Sequence, residues 1–289
     1  MEKDIAILLA TYNGGQYLRI QLDSILSQTF KNWRVFIRDD GSTDDTLKIL
    51  SEYVLKYPDK FILLKDKRGS LGCRDQFLYL LFTIDSEYYM FCDQDDKWFP
   101  DKIEKTYTKL KFLEEKNPNK AIVIGSDSSI CGPNLEVINK SCWDHLRIDP
   151  KLFLTKEGIM VYPFITGASM IMNSKVKELV SQNPIPPNTP PNTPMYDWWV
   201  VMLVYQFGLI DLIDEPTRFY RQHSSNVSGG IEILDTSYLS KLRRIQKVWH
   251  SNQMRIRVLK SLNYGTSFKY WFYKLIFLLK MFKYKHKQK

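Results

Sequence analysis

Tyr88-Tyr89-Met90-Phe91-Cys92-Asp93-Gln94-Asp95-Asp96 sets five apolar or aromatic residues directly before three carboxylates. The apolar run has the length and composition of a buried strand. Acids at a strand's C-terminal end fall in the crevice where open α/β sheets bind ligands. Carboxylates this close repel one another unless a positive charge joins them. A divalent cation meets that need, because Mg2+ and Mn2+ take oxygen ligands and keep substrate phosphates in their shell. The competing reading is a polar turn that caps the next helix. Two further turns carry chemistry. Asp39-Asp40-Gly41-Ser42-Thr43-Asp44 offers a carboxylate able to accept a hydrogen bond from a uracil or thymine ring N–H. Thr11-Tyr12-Asn13 offers a hydroxyl, a ring and an amide, a set suited to a base and ribose, though an ordinary strand-to-helix turn has the same look.

These turns need strands to present them. Ile5 to Ala10 is a continuous apolar run, as buried strands are. Leu18, Leu22 and Ile25 follow at helical spacing, and Trp33 to Arg38 reads as the second strand. Ser42 with Asp45 three residues on has the form of a capping box, and Asp44 and Asp45 complement the dipole of the helix that follows. Phe61 to Leu64 is a third strand, Phe77 to Phe82 lies in a helix, and Tyr88 to Cys92 is the fourth strand. Pro100 suits the first turn of another helix, and Ala121 to Gly125 is a fifth strand. Alternation of this kind predicts βαβ units and a mostly parallel sheet flanked by helices. It places the three turns on one edge. After residue 126 the pattern loosens. Phe164 to Met172 reads as a strand with a glycine bend, and Pro184 to Pro194, with six prolines in eleven residues, as a stiff surface loop. Asp197 to Phe207 reads as a helix, and Leu209 to Ile213 and Thr217 to Tyr220 as two short strands.

The 289 residues suffice for one large domain and an appendage. Lys and Arg number 41 against 32 Asp and Glu, and the excess gathers at the C-terminus, so the net charge of +9 says little about the N-terminal half. No nucleic-acid partner is expected. Four cysteines without a C-x-x-C pair point to reduced thiols in the cytosol. Met1-Glu2-Lys3-Asp4 is too acidic to open a signal peptide, and no apolar stretch reaches 18 residues. Phe268 to Phe282 alternates rings and aliphatics with Lys269, Lys274 and Lys280, and Lys283 follows. This composition predicts a helix lying on an anionic membrane surface, with packing on protein as the alternative. Truncation before Ser267 is then expected to release the protein from the membrane and spare the chemistry.

The succession Ala-Thr-Tyr-Asn-Gly, Asp-Asp-Gly-Ser-Thr-Asp-Asp-Thr and Asp-Gln-Asp-Asp resembles the family 2 glycosyltransferases over roughly the first 230 residues. Phe219 to Val227 resembles a segment of that family's bacterial rhamnosyltransferase-like branch. The resemblance implies the GT-A (Rossmann-like) fold in residues 1–230; residues 231–289 read by composition as a basic, aromatic helical extension. It also implies a nucleotide-sugar donor such as dTDP-rhamnose or a UDP-sugar, Mn2+ or Mg2+, and inversion at the anomeric carbon. By the same analogy Thr11, Tyr12, Asn13 and Asp40 hold the nucleotide, Asp93 lies near the ribose, Asp95 binds the metal, and Asp96 joins the substrate set, with the metal role between these two neighbours left open. Asp197 matches the catalytic base; a carboxylate beside Trp198 and Trp199 is partly desolvated, which raises its proton affinity. Gly167 and Trp198 join the substrate set, and His223 completes the metal shell or touches the diphosphate. The implied acceptor is a glycan, lipid-linked, in surface polysaccharide assembly at the inner face of the membrane. The Gln-x-x-Arg-Trp signature of processive synthases is absent. Two rivals are a sugar-1-phosphate nucleotidyltransferase, which needs a basic glycine-rich loop where Thr11-Tyr12-Asn13-Gly14-Gly15 stands, and an inactive membrane-associated partner with the same fold.

Overall fold

The computed structural model describes residues 4–186, 189, 194–224, 226, 249, 252–260 and 265–284. Strand β1 (Ile5–Thr11) lies beside β2 (Trp33–Asp39) and β4 (Tyr88–Cys92), and β3 (Phe61–Leu63) flanks β2; all three pairings are parallel. Every residue of β1 is buried, because the strand is covered on both faces. Ala6, Leu8 and Ala10 join one core with α3 (Gly72–Thr83) and α9 (Tyr196–Phe207). Ile5, Ile7 and Leu9 join the other, with α1 (Gly15–Leu26), α2 (Thr46–Lys56) and α4 (Lys102–Lys116).

Beyond β4 the sheet becomes mixed. β8 (Met170–Asn173) runs antiparallel between β4 and β6 (Ile122–Cys131), β9 (Leu209–Arg221) is parallel to β6, and the two-residue β5 (Lys97–Trp98) pairs antiparallel with β9. β7 (Val137–Asn139) pairs with the end of β6. Short helices α5 (Cys142–His145), α6 (Pro150–Phe153) and α7 (Lys156–Val161) follow, and α8 (Ser174–Gln182) leads from β8 toward α9.

Several local expectations are corrected. The fifth strand runs on to Cys131, because Ser126, Asp127, Ser128 and Ser129 are buried and find polar partners. The two short strands around Pro216 are one strand, and the register against β6 shifts on both sides of Asp127; proline in a strand belongs at such an irregularity. Of the expected glycine-bent strand only Met170 to Met172 is extended, within β8, and Gly167–Ser169 is a 3-10 turn. α4 starts at Lys102, after Pro100. Ser42 caps no helix: its hydroxyl accepts from the Asn13 N–H, while Asp44 Oδ1 accepts from the Thr46 N–H at 3.0 Å. The proline-rich loop lies partly outside the described residues.

The described C-terminal segments pack into the hydrophobic core. Ile256, Val258 and Leu259 of the helical segment 252–260, and Tyr270 and Phe277 of α10 (Ser267–Lys283), are buried in the cluster that contains α3 and α9. Phe277 meets Phe153 with ring centroids 4.7 Å apart, and Lys274 donates to Val161 O at 3.0 Å. The opposite face of α10 leaves Phe268, Phe272, Leu275, Leu279 and Phe282 exposed. Among the described residues no helix is long and apolar enough to cross a membrane.

Candidate active site

The turns after β1, β2 and β4 are laced together. Gln94 grips the Tyr12 peptide from both sides, accepting from its N–H and donating to its carbonyl, each at 2.9 Å. Asn13, at φ 46°, donates its N–H to Ser42 Oγ and accepts from the Thr43 N–H, both at 2.8 Å. Gly15 N–H donates to Asp44 Oδ2 at 2.9 Å. The Thr11 hydroxyl donates to Asp39 at 2.9 Å, and the Tyr12 ring stays exposed.

Asp40 is buried. Burial alone would raise its pKa, but the donors around it hold the carboxyl below the usual range. They are the Leu71 and Gly72 N–H groups, Arg38 and the Ser70 hydroxyl. With both oxygens engaged twice, Asp40 latches the 65–72 loop over the site.

The three acids after β4 have three different settings. Asp93 keeps 37% of its side chain exposed and lies 3.4 Å from Arg218. Its pKa is raised, by burial first and by Asp96 next, with Arg218 opposing. Asp95 Oδ2 lies 2.9 Å from His223 Nε2, and Asp95 O accepts from Arg221 Nε at 2.6 Å. Asp96 is sealed, pairing with the Arg218 guanidinium and accepting from the Arg221 N–H at 3.2 Å. Its expected contact with substrate is therefore corrected: its oxygens face Arg218 and the β9 backbone.

Asp197 lies in the first turn of α9, where Oδ2 accepts from the Gly167 N–H at 3.0 Å and Oδ1 from the Trp198 N–H at 2.7 Å. Burial raises its pKa, against those two N–H groups. Gly167 reaches the site through its backbone; a Cβ there would stand 2.2 Å from the Tyr196 hydroxyl oxygen. Trp198 is corrected outright. Its ring is buried in the core and its Nε1 donates to Ile159 O at 2.9 Å, so it meets no ligand. Cys73, in the first turn of α3, ties the arrangement together. Burial raises its thiol, and so do Asp93, Asp197, Asp95 and Asp40 in that order, so four carboxylates from three chain segments converge on one region.

Sequence reading missed Arg218. It is buried and donates to Ser128 Oγ at 3.1 Å and Thr166 Oγ1 at 2.9 Å as well as holding the acids. Those acids hold its charge firmly. The only signal was a basic residue in an apolar strand beside acids of unknown partner. Tyr17 was also missed. Its ring lies 4.7 Å from the His223 ring and beneath the Arg221 guanidinium.

The chemistry of the donor set fits a divalent cation. Asp95 supplies a carboxylate oxygen, the donor type that Mn2+ and Mg2+ take, and His223 sets an imidazole nitrogen 2.9 Å from it. Among the described residues no group of three His, Cys, Asp or Glu side chains could hold a metal ion by itself.

The family model for glycosyl transferase family 2 matches residues 6–172. A dTDP-rhamnosyl transferase, RfbG of Shigella flexneri, is 27% identical over 253 residues, which cover 85% of this chain and 82% of that protein. An uncharacterized glycosyltransferase of Rickettsia bellii is 28% identical over 277 residues, 92% of this chain; the chain spans only 38% of that protein's length. Among solved structures, S. aureus TarS in complex with UDP-GlcNAc superposes with a TM-score of 0.53 at 17% identity, covering 89% of this chain and 71% of that one. The Pyrobaculum calidifontis mannosyltransferase PcManGT, in complex with GDP-Man and Mn2+, superposes with a TM-score of 0.56 at 16% identity, covering 89% and 65%. The sheet order, the three turns at its edge and the matched family model agree, and the chain belongs to glycosyl transferase family 2, with the GT-A fold.

Proposed function

We propose that this chain moves a sugar from a nucleoside-diphosphate donor, dTDP-rhamnose or a UDP-sugar, to a hydroxyl of a lipid-linked glycan, with inversion. The Shigella relative's donor favours dTDP-rhamnose. The observation that carries the reading is the convergence of a proton-hungry carboxylate, Asp197, with the Asp95–His223 pair at one sheet edge. Asp197 takes the proton of the acceptor hydroxyl. The hydroxyl oxygen then bonds to the anomeric carbon as the bond from that carbon to the diphosphate breaks. Thr11, the Tyr12 ring and Asn13 hold the nucleotide, and a base N–H replaces one of the Asp40 loop donors. Asp93, still open to solvent, meets the ribose. Asp95 and His223 would hold the cation, which when bound neutralises charge developing on the leaving diphosphate. Beside them Arg221 Nη2 is buried without a hydrogen-bond partner among the described residues. Such an orphan costs about 1–3 kcal/mol, and a phosphate oxygen would relieve it.

The exposed ridge of α10 is assigned to an anionic membrane. Phe268, Phe272, Leu275, Leu279 and Phe282 enter the headgroup boundary, and Lys269, Lys280 and Lys283 flank them. Each lysine adds about 1 kcal/mol there. This attachment puts the enzyme on the inner face of the cell membrane, where surface polysaccharide is assembled on lipid carriers.

The test is hydrolysis of a panel of UDP-, dTDP- and GDP-sugars with Mn2+, Mg2+ or EDTA. One donor consumed in a metal-dependent way supports the reading. Full activity in EDTA defeats the metal assignment, and no hydrolysis or transfer with any donor defeats the whole.

A further inference from the structure

Lys102 opens α4 and is completely buried, although lysine is almost never fully buried without a partner. Among the described residues no carboxylate pairs with it. Its Nζ donates instead to Ala168 O at 2.9 Å and to Thr217 Oγ1 at 3.2 Å, and lies 4.9 Å from the centroid of the Trp98 ring. Both acceptors adjoin residues of the site. Ala168 follows Gly167, whose N–H holds the Asp197 carboxylate. Thr217 precedes Arg218, which holds Asp93, Asp96 and Thr166. A second strut runs parallel, from Ser126 Oγ to Ser169 O at 2.9 Å and to Thr217 Oγ1 at 2.7 Å.

We propose that Lys102 is a positioning residue for sugar transfer, clamping the turn that aims Asp197 to the strand that carries Arg218. This rests on the reading of Asp197 as the base. An apolar side chain of the same length would fill the space more cheaply. Burial pushes the ammonium down to about 7, with Arg218 of β9 adding to the shift and Cys92, Asp96 and Asp93 opposing it. The folded chain therefore releases a proton that the unfolded chain keeps up to the ordinary lysine range. Stability rises with pH between those two values, and below about 7 the full cost of the buried charge remains. What that cost supports is geometry. Without the clamp the Gly167 N–H drifts from Asp197, the ionised carboxylate loses a donor, and its pKa rises further.

The experiment compares Lys102→Met, Thr217→Val and Thr217→Ser with the wild-type full chain. On the nucleotide-sugar that the wild type hydrolyses, Lys102→Met is expected to lower turnover about tenfold or more, the scale of a misplaced catalytic group. Donor KM should stay within about twofold. The acid limb of the pH–rate profile should move upward. Thr217→Val should move both quantities the same way by less, and Thr217→Ser should restore them. Independently of any donor, the 13C-carboxyl titration of Asp197, assigned by its loss in Asp197→Asn, should shift up by about half a unit or more in Lys102→Met. A folded Lys102→Met with wild-type turnover and an unmoved Asp197 titration overturns the proposal. If Lys102→Met does not fold, an unmoved limb and titration in Thr217→Val overturn it. If no donor is hydrolysed, the titration alone decides for Lys102, while the functional reading falls separately.

Discussion

His223 Nε2 stands 2.9 Å from Asp95 Oδ2, joining residues 128 positions apart in the chain. The contact brings the end of β9 to the turn after β4, with Tyr17 packed on the far side of the imidazole. Asp95→Asn should abolish metal-dependent donor hydrolysis with the fold intact. His223→Ala should raise the Mn2+ concentration for half-maximal rate by about tenfold or more, as loss of one ligand does. Titrating Mn2+ into each variant gives the answer, and an unchanged midpoint for His223→Ala removes the imidazole from the metal shell.

Asp197→Asn should lower turnover by about 10²-fold or more with donor affinity retained, the scale of general-base catalysis. Because burial raises the carboxyl, the wild-type rate should fall on acidification at a pH above the ordinary aspartate value of about 3.9. Donor binding by calorimetry distinguishes the roles. If binding is lost in step with turnover, Asp197 binds substrate and is not the base.

Arg218→Met strips two acids of their counter-ion. Breaking a buried pair from one side costs about 3–5 kcal/mol, so the urea midpoint should fall sharply at pH 7. Asp96, left alone, protonates more readily in the folded state than in the unfolded one. Burial already raises the Asp96 carboxyl in the wild type, with Arg218 opposing, and losing Arg218 raises it further, so the deficit should shrink as pH falls from the variant's value toward the wild-type one. A deficit independent of pH would show that Asp96 was not ionised against Arg218.

The α10 ridge calls for surface substitutions. Truncation before Ser267, expected from sequence to spare the chemistry, would uncover the core around Phe153 and Val161. Replacing Phe268, Phe272 and Phe282 with serine should abolish co-sedimentation with anionic vesicles at low salt and leave donor hydrolysis and the melting midpoint unchanged. Retained co-sedimentation would remove the ridge from the membrane contact.

The first half of the fold was legible because buried strands there are unbroken apolar runs, and their spacing placed the turns of Thr11, Asp40 and Asp93 on one edge. The second half hides its strands. β6 spends four of its ten positions on Ser126 to Ser129, whose polarity reads as a loop until Arg218, Thr217, Ser141 and Asn139 supply partners. The roles of neighbouring acids were equally hidden, since Asp95 and Asp96 differ only in which way β9 meets them. Lys102 and Arg218 escaped notice for the same reason: a charged residue carries no sign in sequence of whether water or a strand will receive it.

The lacing of the three turns by Gln94, Asn13 and Asp44 has a thermodynamic consequence. Fixing one residue's backbone costs about 1–2 kcal/mol of conformational entropy, and here folding has already borne that loss for the segments proposed to meet the nucleotide. A donor arriving at this edge finds walls that need no ordering, so more of its contact energy remains as affinity. Gln94→Ala, which frees the Tyr12 turn without removing a group proposed to hold the nucleotide, would reveal this as a more negative binding entropy at similar enthalpy.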